Sequence, residues 1–342
     1  MGDNGHFPVI HTMTNWVKPG EETMLFWDIP GAKVCELWVQ KPGDQKFQHL
    51  AYPSGNGTLT LSFGENDQGN WLYSMMVQFE DGVWAQTNII GIWVGKENQE
   101  QYKIEQFKQK GMTNVWNIVF MVYRTVDIGD FHRSFTDREI DVIRRMNREL
   151  KPTIEGLSGG LMKIGTVDVL VEEKPVTSAS GSGITPPPLV YGPEGDVDFT
   201  DMLNSRDVNL VAVFAPLSGL GGKSEWGGLG GTHMDHKDRW VYTVILNWVN
   251  TTDETYNILG EQYPLDITGL VHEMLHAVEA NSRDNGYSDF EGLHEHKNNG
   301  YYYPGDDCLV WYYDLMRDIL KSKKNGFHPI SYYVTHDRPG NQ

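Results

Sequence analysis

Near residue 100 the spacing of apolar residues in this chain changes, and that change limits the folds open to it. Before it, apolar residues come in short alternating runs broken every 8 to 12 residues by turn signals. After it, longer β-branched runs alternate with helical patterns. A switch from one period to the other predicts two units, residues 8–95 and residues 102–342, and the 342-residue length gives each enough chain for its own core. In the first unit strands are predicted at 22–27, 35–40, 58–63, 70–78 and 83–94, with Asp81-Gly82 closing a hairpin between two alternating runs. This is the pattern of an all-β sandwich.

One stretch sharpens that expectation. Asp67-Gln68-Gly69-Asn70-Trp71-Leu72-Tyr73 resembles the D-x-G-x-Y-x-C segment of immunoglobulin-like domains, with Trp71 in the place of the corner tyrosine and Tyr73 in that of the cysteine. Lacking that cysteine, the unit is similar to the disulfide-free immunoglobulin and fibronectin type III relatives. The two cysteines, Cys35 and Cys308, are too few and too far apart for a disulfide scaffold or a CxxC metal or redox motif.

The second unit opens with a predicted central strand at 114–126. Thr136 and Glu139 form a capping box that starts a helix with Ile140, Ile143, Met146 and Leu150 on its apolar face, expected to close at Pro152. Further strands are predicted at 167–171, 208–217 and 240–248, with an exposed Ser/Gly/Pro loop at 177–188 and a glycine-rich stretch at 218–231.

Chemistry concentrates in His272-Glu273-Met274-Leu275-His276. Twelve His and 21 Glu in a chain of this length would give about 0.03 such H-E-x-x-H matches by random placement, so chance is a poor account of it. Residues four apart share a helix face, so both imidazoles can reach one cation, and Glu273 beside them is placed to act as a base on water there. Leu270, Val271, Met274, Leu275 and Val278 supply the buried face, Asp266 or Thr268 is expected to cap the start, and Asn285-Gly286 to end the helix.

Two histidines leave such a site one ligand short. His294 is the favoured third ligand, with Glu295 and His296 next and Asp289 and Glu291 behind them. Glu279 lies seven residues from His272, roughly 10 Å along the helix axis, so it is expected to accept from an imidazole N–H rather than to bind metal. Tyr301, Tyr302 or Tyr303, or His296, is the candidate donor to a developing oxyanion, with Tyr301 preferred. A helix predicted at 306–324 carries Leu309, Trp311, Tyr312, Leu315, Met316 and Ile319 as core residues. The segment at 227–238, with His233 and His236, is expected to form the rim of a cleft.

On His272, Glu273 and His276, and on the order strand, helix, strands, motif helix, the second unit resembles the zincin metallopeptidases. The resemblance implies an α+β domain with a mixed twisted sheet and an active-site helix, Zn2+ held by His272 and His276, Glu273 as general base, and a protein or peptide substrate. Ser282 and Glu279 stand where the H-E-x-x-H-x-x-G-x-x-H/D zincins carry a ligand and a glycine, so no subfamily is identified. The formal charge of -18 argues against nucleic acid and anionic membranes as partners. No apolar run reaches the roughly 18 residues of a membrane span. The first ten residues lack the basic and apolar regions of a leader, and an extracellular or cell-surface location with the leader removed is expected from the domain style. The alternative expectation is a noncatalytic surface adhesin or carbohydrate-binding protein. In it the Trp-rich first unit binds a carbohydrate or surface ligand and the second unit is a degenerate zincin.

Overall fold

The computed structural model describes residues 8–44, 46–95, 108–111, 113–177, 208–217, 228–236, 239–246, 267–285, 292–295, 312–313 and 315–316. In the first unit the strands are β1 (Ile10–Thr12), β2 (Trp16–Val17), β3 (Glu22–Asp28), β4 (Ala32–Gln40), β5 (Gln48–Ala51), β6 (Asn56–Ser62), β7 (Gly69–Phe79), β8 (Trp84–Gln86) and β9 (Ile90–Val94). They form two sheets, β1-β3-β6 and β2-β9-β7-β4-β5, with β8 paired to β7. Alternation produces the sandwich directly. On β3, Thr23, Leu25 and Trp27 are buried while Glu22, Phe26 and Asp28 face water. Leu25 and Trp27 meet Leu37, Met75, Val77 and Ile92 of the other sheet in one core.

The run 83–94 is two strands, not one. The break at 87–89 is made by side chains that bond backbone elsewhere. Thr87 Oγ1 accepts from Met75 N–H at 2.9 Å, and the Asn88 amide accepts from Ile10 N–H at 2.9 Å and donates to Ile10 O at 3.0 Å. Asn88 thereby serves β1 as a strand neighbour would. Tyr73 is buried in the sandwich core, but Trp71 does not make a corner bond. Its indole N–H is buried without a partner, and its ring packs edge-on against Phe63 at 5.5 Å. The turn there is closed by Asp67 instead, whose carboxylate accepts from Gly64 N–H at 2.7 Å.

The second unit contains β10 (Asn114–Tyr123), β11 (Thr125–Ile128), β12 (Phe131–Ser134), helix α1 (Asp137–Leu157), β13 (Met162–Glu172), β14 (Leu210–Phe214), β15 (Gly228–His236), β16 (Arg239–Leu246) and helix α2 (Thr268–Asp284). Its five-stranded sheet runs β13-β10-β14-β16-β15, with all neighbours parallel except the edge pair β15–β16. Burial on both faces explains the continuous apolar run of β10. Ile118, Phe120 and Val122 pack in one cluster with residues of both helices, and Val119, Met121 and Tyr123 pack in another with Val211 and Val213.

Two expectations fail here. The strand predicted at 114–126 stops at Tyr123, and the chain folds into the β11–β12 hairpin around Gly129, whose φ is 60°. Helix α1 runs through Pro152 to Leu157. Pro152 has no N–H to give the carbonyl one turn back, at exposed Arg148, while Ile154 and Leu157 beyond it are buried and hold the helix to the core. The capping box is present as expected: Thr136 N–H donates to Glu139 Oε2 at 2.7 Å and Glu139 N–H to Thr136 Oγ1 at 3.2 Å.

The two units share an interface. Trp16, Leu72 and Ile89 of the sandwich belong to the core built on α1 and α2. Arg145 of α1 is buried, pairs with Glu149 at 2.5 Å, and donates to the backbone carbonyl of Gln86. The expected boundary falls within 96–107, outside the described residues. Among the described residues no helix is long and apolar enough to cross a membrane.

Candidate metal centre

Helix α2 forms because Leu270, Val271, Met274, Leu275, Ala277 and Val278 bury one broad face against the sheet. The start of the helix differs from the expectation. Thr268 is already helical, Ile267 occupies the cap position with no side-chain bond, and Asp266 lies outside the described residues. Packing fixes this end instead, with Ile267 and Leu270 in the core. At the other end Asn285 caps the helix, and Tyr242 of β16 donates to Asp284 at 2.8 Å and to Asn281 at 3.2 Å.

The helix presents His272 and His276 with ring centroids 5.1 Å apart. His294, on a turn after the helix, brings its ring within 3.7 Å of that of His276 and 5.4 Å of that of His272. Hydrogen bonds orient two of the rings. Glu279 Oε1 accepts from both the backbone N–H and Nδ1 of His294, at 2.9 and 2.7 Å. A carboxylate can only accept, so His294 Nδ1 carries a proton. The Tyr312 hydroxyl donates to the His294 carbonyl at 3.3 Å and lies 2.7 Å from His272 Nδ1, so one side chain bonds both the motif helix and the turn that carries His294.

Ligand atoms of His276, Glu279 and His294 all lie within 4.8 Å of one another, which would admit Glu279 itself as a ligand. That group does not include His272, whose ring centroid lies 5.1 Å from that of His276 and 5.4 Å from that of His294; within it Glu279 Oε1 already accepts two N–H groups of His294, and Oε2 stands 3.9 Å from His276 Nδ1. Glu295 is exposed, with Oε1 3.6 Å from His294 Nε2.

Burial shapes the electrostatics. Glu273 is 7% exposed, its Oε2 is buried without a partner, and burial pushes its carboxyl up to about 8. His276 is pushed down to about 3 by burial, reinforced by His294 and His272 beside it. The close imidazoles of His272, His276 and His294, with His276 kept neutral by its burial, fit a divalent cation that favours nitrogen ligands.

Of the sequence-predicted residues, the structure brings together His272, Glu273, His276, Glu279 and His294. Tyr301, Tyr302, Tyr303, His296, Asp289 and Glu291 lie outside the described residues. His233 and His236 lie on β15, away from the motif in sequence and at the edge of the sheet. Tyr312, expected only as core, is buried yet carries its hydroxyl to the site; 40 residues separate it from His272, and no spacing rule links them.

No protein-family model matches the chain, and no curated protein matches it. Solved structures similar to part of it include the soluble domain of PmoD from Methylocystis sp. ATCC 49242 (Rockwell), 14% identical with a TM-score of 0.20 over 25% of this chain and 89% of that one. An Fn3-like protein from Clostridium thermocellum is 16% identical with a TM-score of 0.20, over 27% and 95% of the two chains. A chain from a structure on T cell specificity and activation by the bacterial superantigen toxic shock syndrome toxin-1 is 12% identical with a TM-score of 0.20, over 26% and 99%. A TM-score of 0.20 assigns neither fold nor activity.

Proposed function

We propose that this protein is a zinc-dependent peptidase, with His272, His276 and His294 as the metal ligands and Glu273 as the general base. The observation that carries the reading is the convergence of the imidazoles of His272, His276 and His294, with Glu273 following His272 in the chain and its Oε2 buried without a partner. A zinc ion held there would supply Lewis acidity and make a water molecule easier to deprotonate. Glu273 would do the proton work: the cation's charge would favour its ionised form, Oε2 would accept a proton from the attacking water, and the same carboxyl would pass it to the departing amine nitrogen. Glu279 and Tyr312 orient the imidazoles from behind.

A peptide is the favoured substrate because β15 is an edge strand. Among the described residues it pairs with β16 alone, and an edge strand is where an extended chain can add through backbone hydrogen bonds. Residues 102–342 are accordingly read as a zincin-like catalytic domain: parallel strands with one antiparallel edge strand, and a motif helix packed on the sheet, suit that family. Residues 8–95 are read as an immunoglobulin-like or fibronectin type III-like accessory domain, and the charge of -18 suits an extracellular or cell-surface enzyme. The test is Glu273→Ala, which should abolish peptide hydrolysis while zinc stays bound at one equivalent. Purified protein with no stoichiometric metal would sink the idea.

A second reading, a carbohydrate-binding adhesin, is favoured by one surface feature of the sandwich. Tyr52 is 71% exposed and lies 4.2 Å from His49, which in turn meets Trp38 edge-on at 5.4 Å. Glycan-array binding lost in Tyr52→Ala, from a full chain that cleaves no peptide, would decide for it.

A further inference from the structure

Tyr312 and Tyr313 are adjacent helical residues, so their side chains leave the axis about 100° apart and face different neighbours. Tyr312 faces the histidines. One hydroxyl lies 2.7 Å from His272 Nδ1 and donates to the His294 carbonyl, so it ties a ligand on α2 to the turn that carries another. Tyr313 faces the sandwich, where it is buried and its hydroxyl reaches Ile89 O at 3.4 Å.

Its slot exists because two residues lack a Cβ. A methyl at Gly91 of β9 would lie 2.5 Å from the Tyr313 ring, and one at Gly156 of α1 would lie 2.9 Å from its hydroxyl. Glycine inside a helix costs about 1 kcal/mol against alanine, so Gly156 suits this position through the close approach it permits. The floor of the slot is fixed as well, since Asn15 donates to Gly91 O at 2.7 Å.

We propose that Tyr312 is a positioning residue for the metal site, and that the β-sandwich holds it there through Tyr313. The inference rests on the three-histidine reading above. It makes the sandwich part of the metal centre: Gly91, on a different unit from every ligand, governs how tightly the ligands grip.

The experiment measures Zn2+ affinity of the full chain by chelator competition, and the visible spectrum of the Co2+-loaded protein. Tyr312→Phe keeps the ring and deletes the hydroxyl. It should weaken Zn2+ binding by about 10–100-fold and alter the Co2+ bands, with the urea midpoint of the metal-free protein nearly unchanged. Gly91→Ala should weaken binding in the same direction. Tyr313→Phe, which removes the hydroxyl's bonds to the β9 end of the sandwich at Ile89 and Gly91, serves if Gly91→Ala does not fold, and should weaken it several-fold. Parent-like affinity and spectrum in Tyr312→Phe would overturn the positioning role. Weakened binding in Tyr312→Phe with parent-like binding in the Gly91 and Tyr313 variants would overturn the part given to the sandwich. Failure of the underlying reading looks different: the parent itself would take up no metal, or would keep it in His272→Ala and His294→Ala.

Discussion

Glu279 offers the sharpest test of how the site is built, because its position admits two roles with different energetics. As the acceptor behind His294 it receives two N–H groups at 2.9 and 2.7 Å, from a side chain only 12% exposed. Bonds to a charged acceptor contribute about 1.5–3 kcal/mol each, and the residual exposure puts these near the lower bound, about 3 kcal/mol together. Glu279→Ala should therefore loosen the turn carrying His294 and lower Zn2+ affinity about 100-fold, at 1.4 kcal/mol per factor of ten. Glu279→Gln keeps an acceptor oxygen and loses only the charge, so its deficit should be about tenfold. Were Glu279 a ligand, the amide would be nearly as poor as the methyl, and the two variants would fall together. Titration against a chromophoric chelator at neutral pH reads the ratio directly. Equal losses in the two variants, or none in either, would refute the assignment.

Three other outcomes are expected. In chelator-treated protein, Glu273 is raised from 4.5 to about 8 by burial, so its contribution to stability is complete below pH 4.5 and is lost as pH rises to 8. His276 is lowered from 6.5 to about 3 by burial and its histidine neighbours, so its contribution is complete above pH 6.5 and is lost as pH falls to 3. Urea midpoints should then be level between pH 4.5 and 6.5 and decline on both sides, and a Glu273→Gln protein that still declines above pH 6.5 would contradict this account. Arg145→Met strands the buried Glu149 carboxylate and should cost about 3–5 kcal/mol, less in the double variant with Glu149→Leu; additive losses in urea melts would show that the pair is not coupled. Asn88→Ala leaves both backbone groups of buried Ile10 unbonded and should cost about 2–4 kcal/mol in the same assay, whereas a loss under 1 kcal/mol would mean that β1 is held by other contacts.

What was legible in the sequence followed periodicity and local chemistry. The alternation of β3, the Thr136–Glu139 box and the His272–His276 spacing are short-range patterns whose physics is complete within a few residues. His294 was reachable as the next histidine past a turn. Boundaries failed where distant groups decide them. Asn88 breaks a strand because Ile10, 78 residues away, needs its amide, and α1 passes Pro152 because Ile154 and Leu157 have a core waiting. Tyr312 was hidden for a related reason. A buried tyrosine on an apolar helix face reads as packing, and only the fold reveals which polar atom its hydroxyl meets.

The burial of Trp16, Leu72 and Ile89 within the core of the α/β unit bears on how the protein comes apart. Two domains joined by a linker melt in separate transitions, each with its own denaturant sensitivity. Here, exposing either unit alone would bring these side chains and the Arg145–Glu149 pair into water, so a half-unfolded species is penalised relative to both end states. The chain should lose sandwich and metal site in a single cooperative step, with the steep denaturant dependence of one large folding unit rather than two smaller ones.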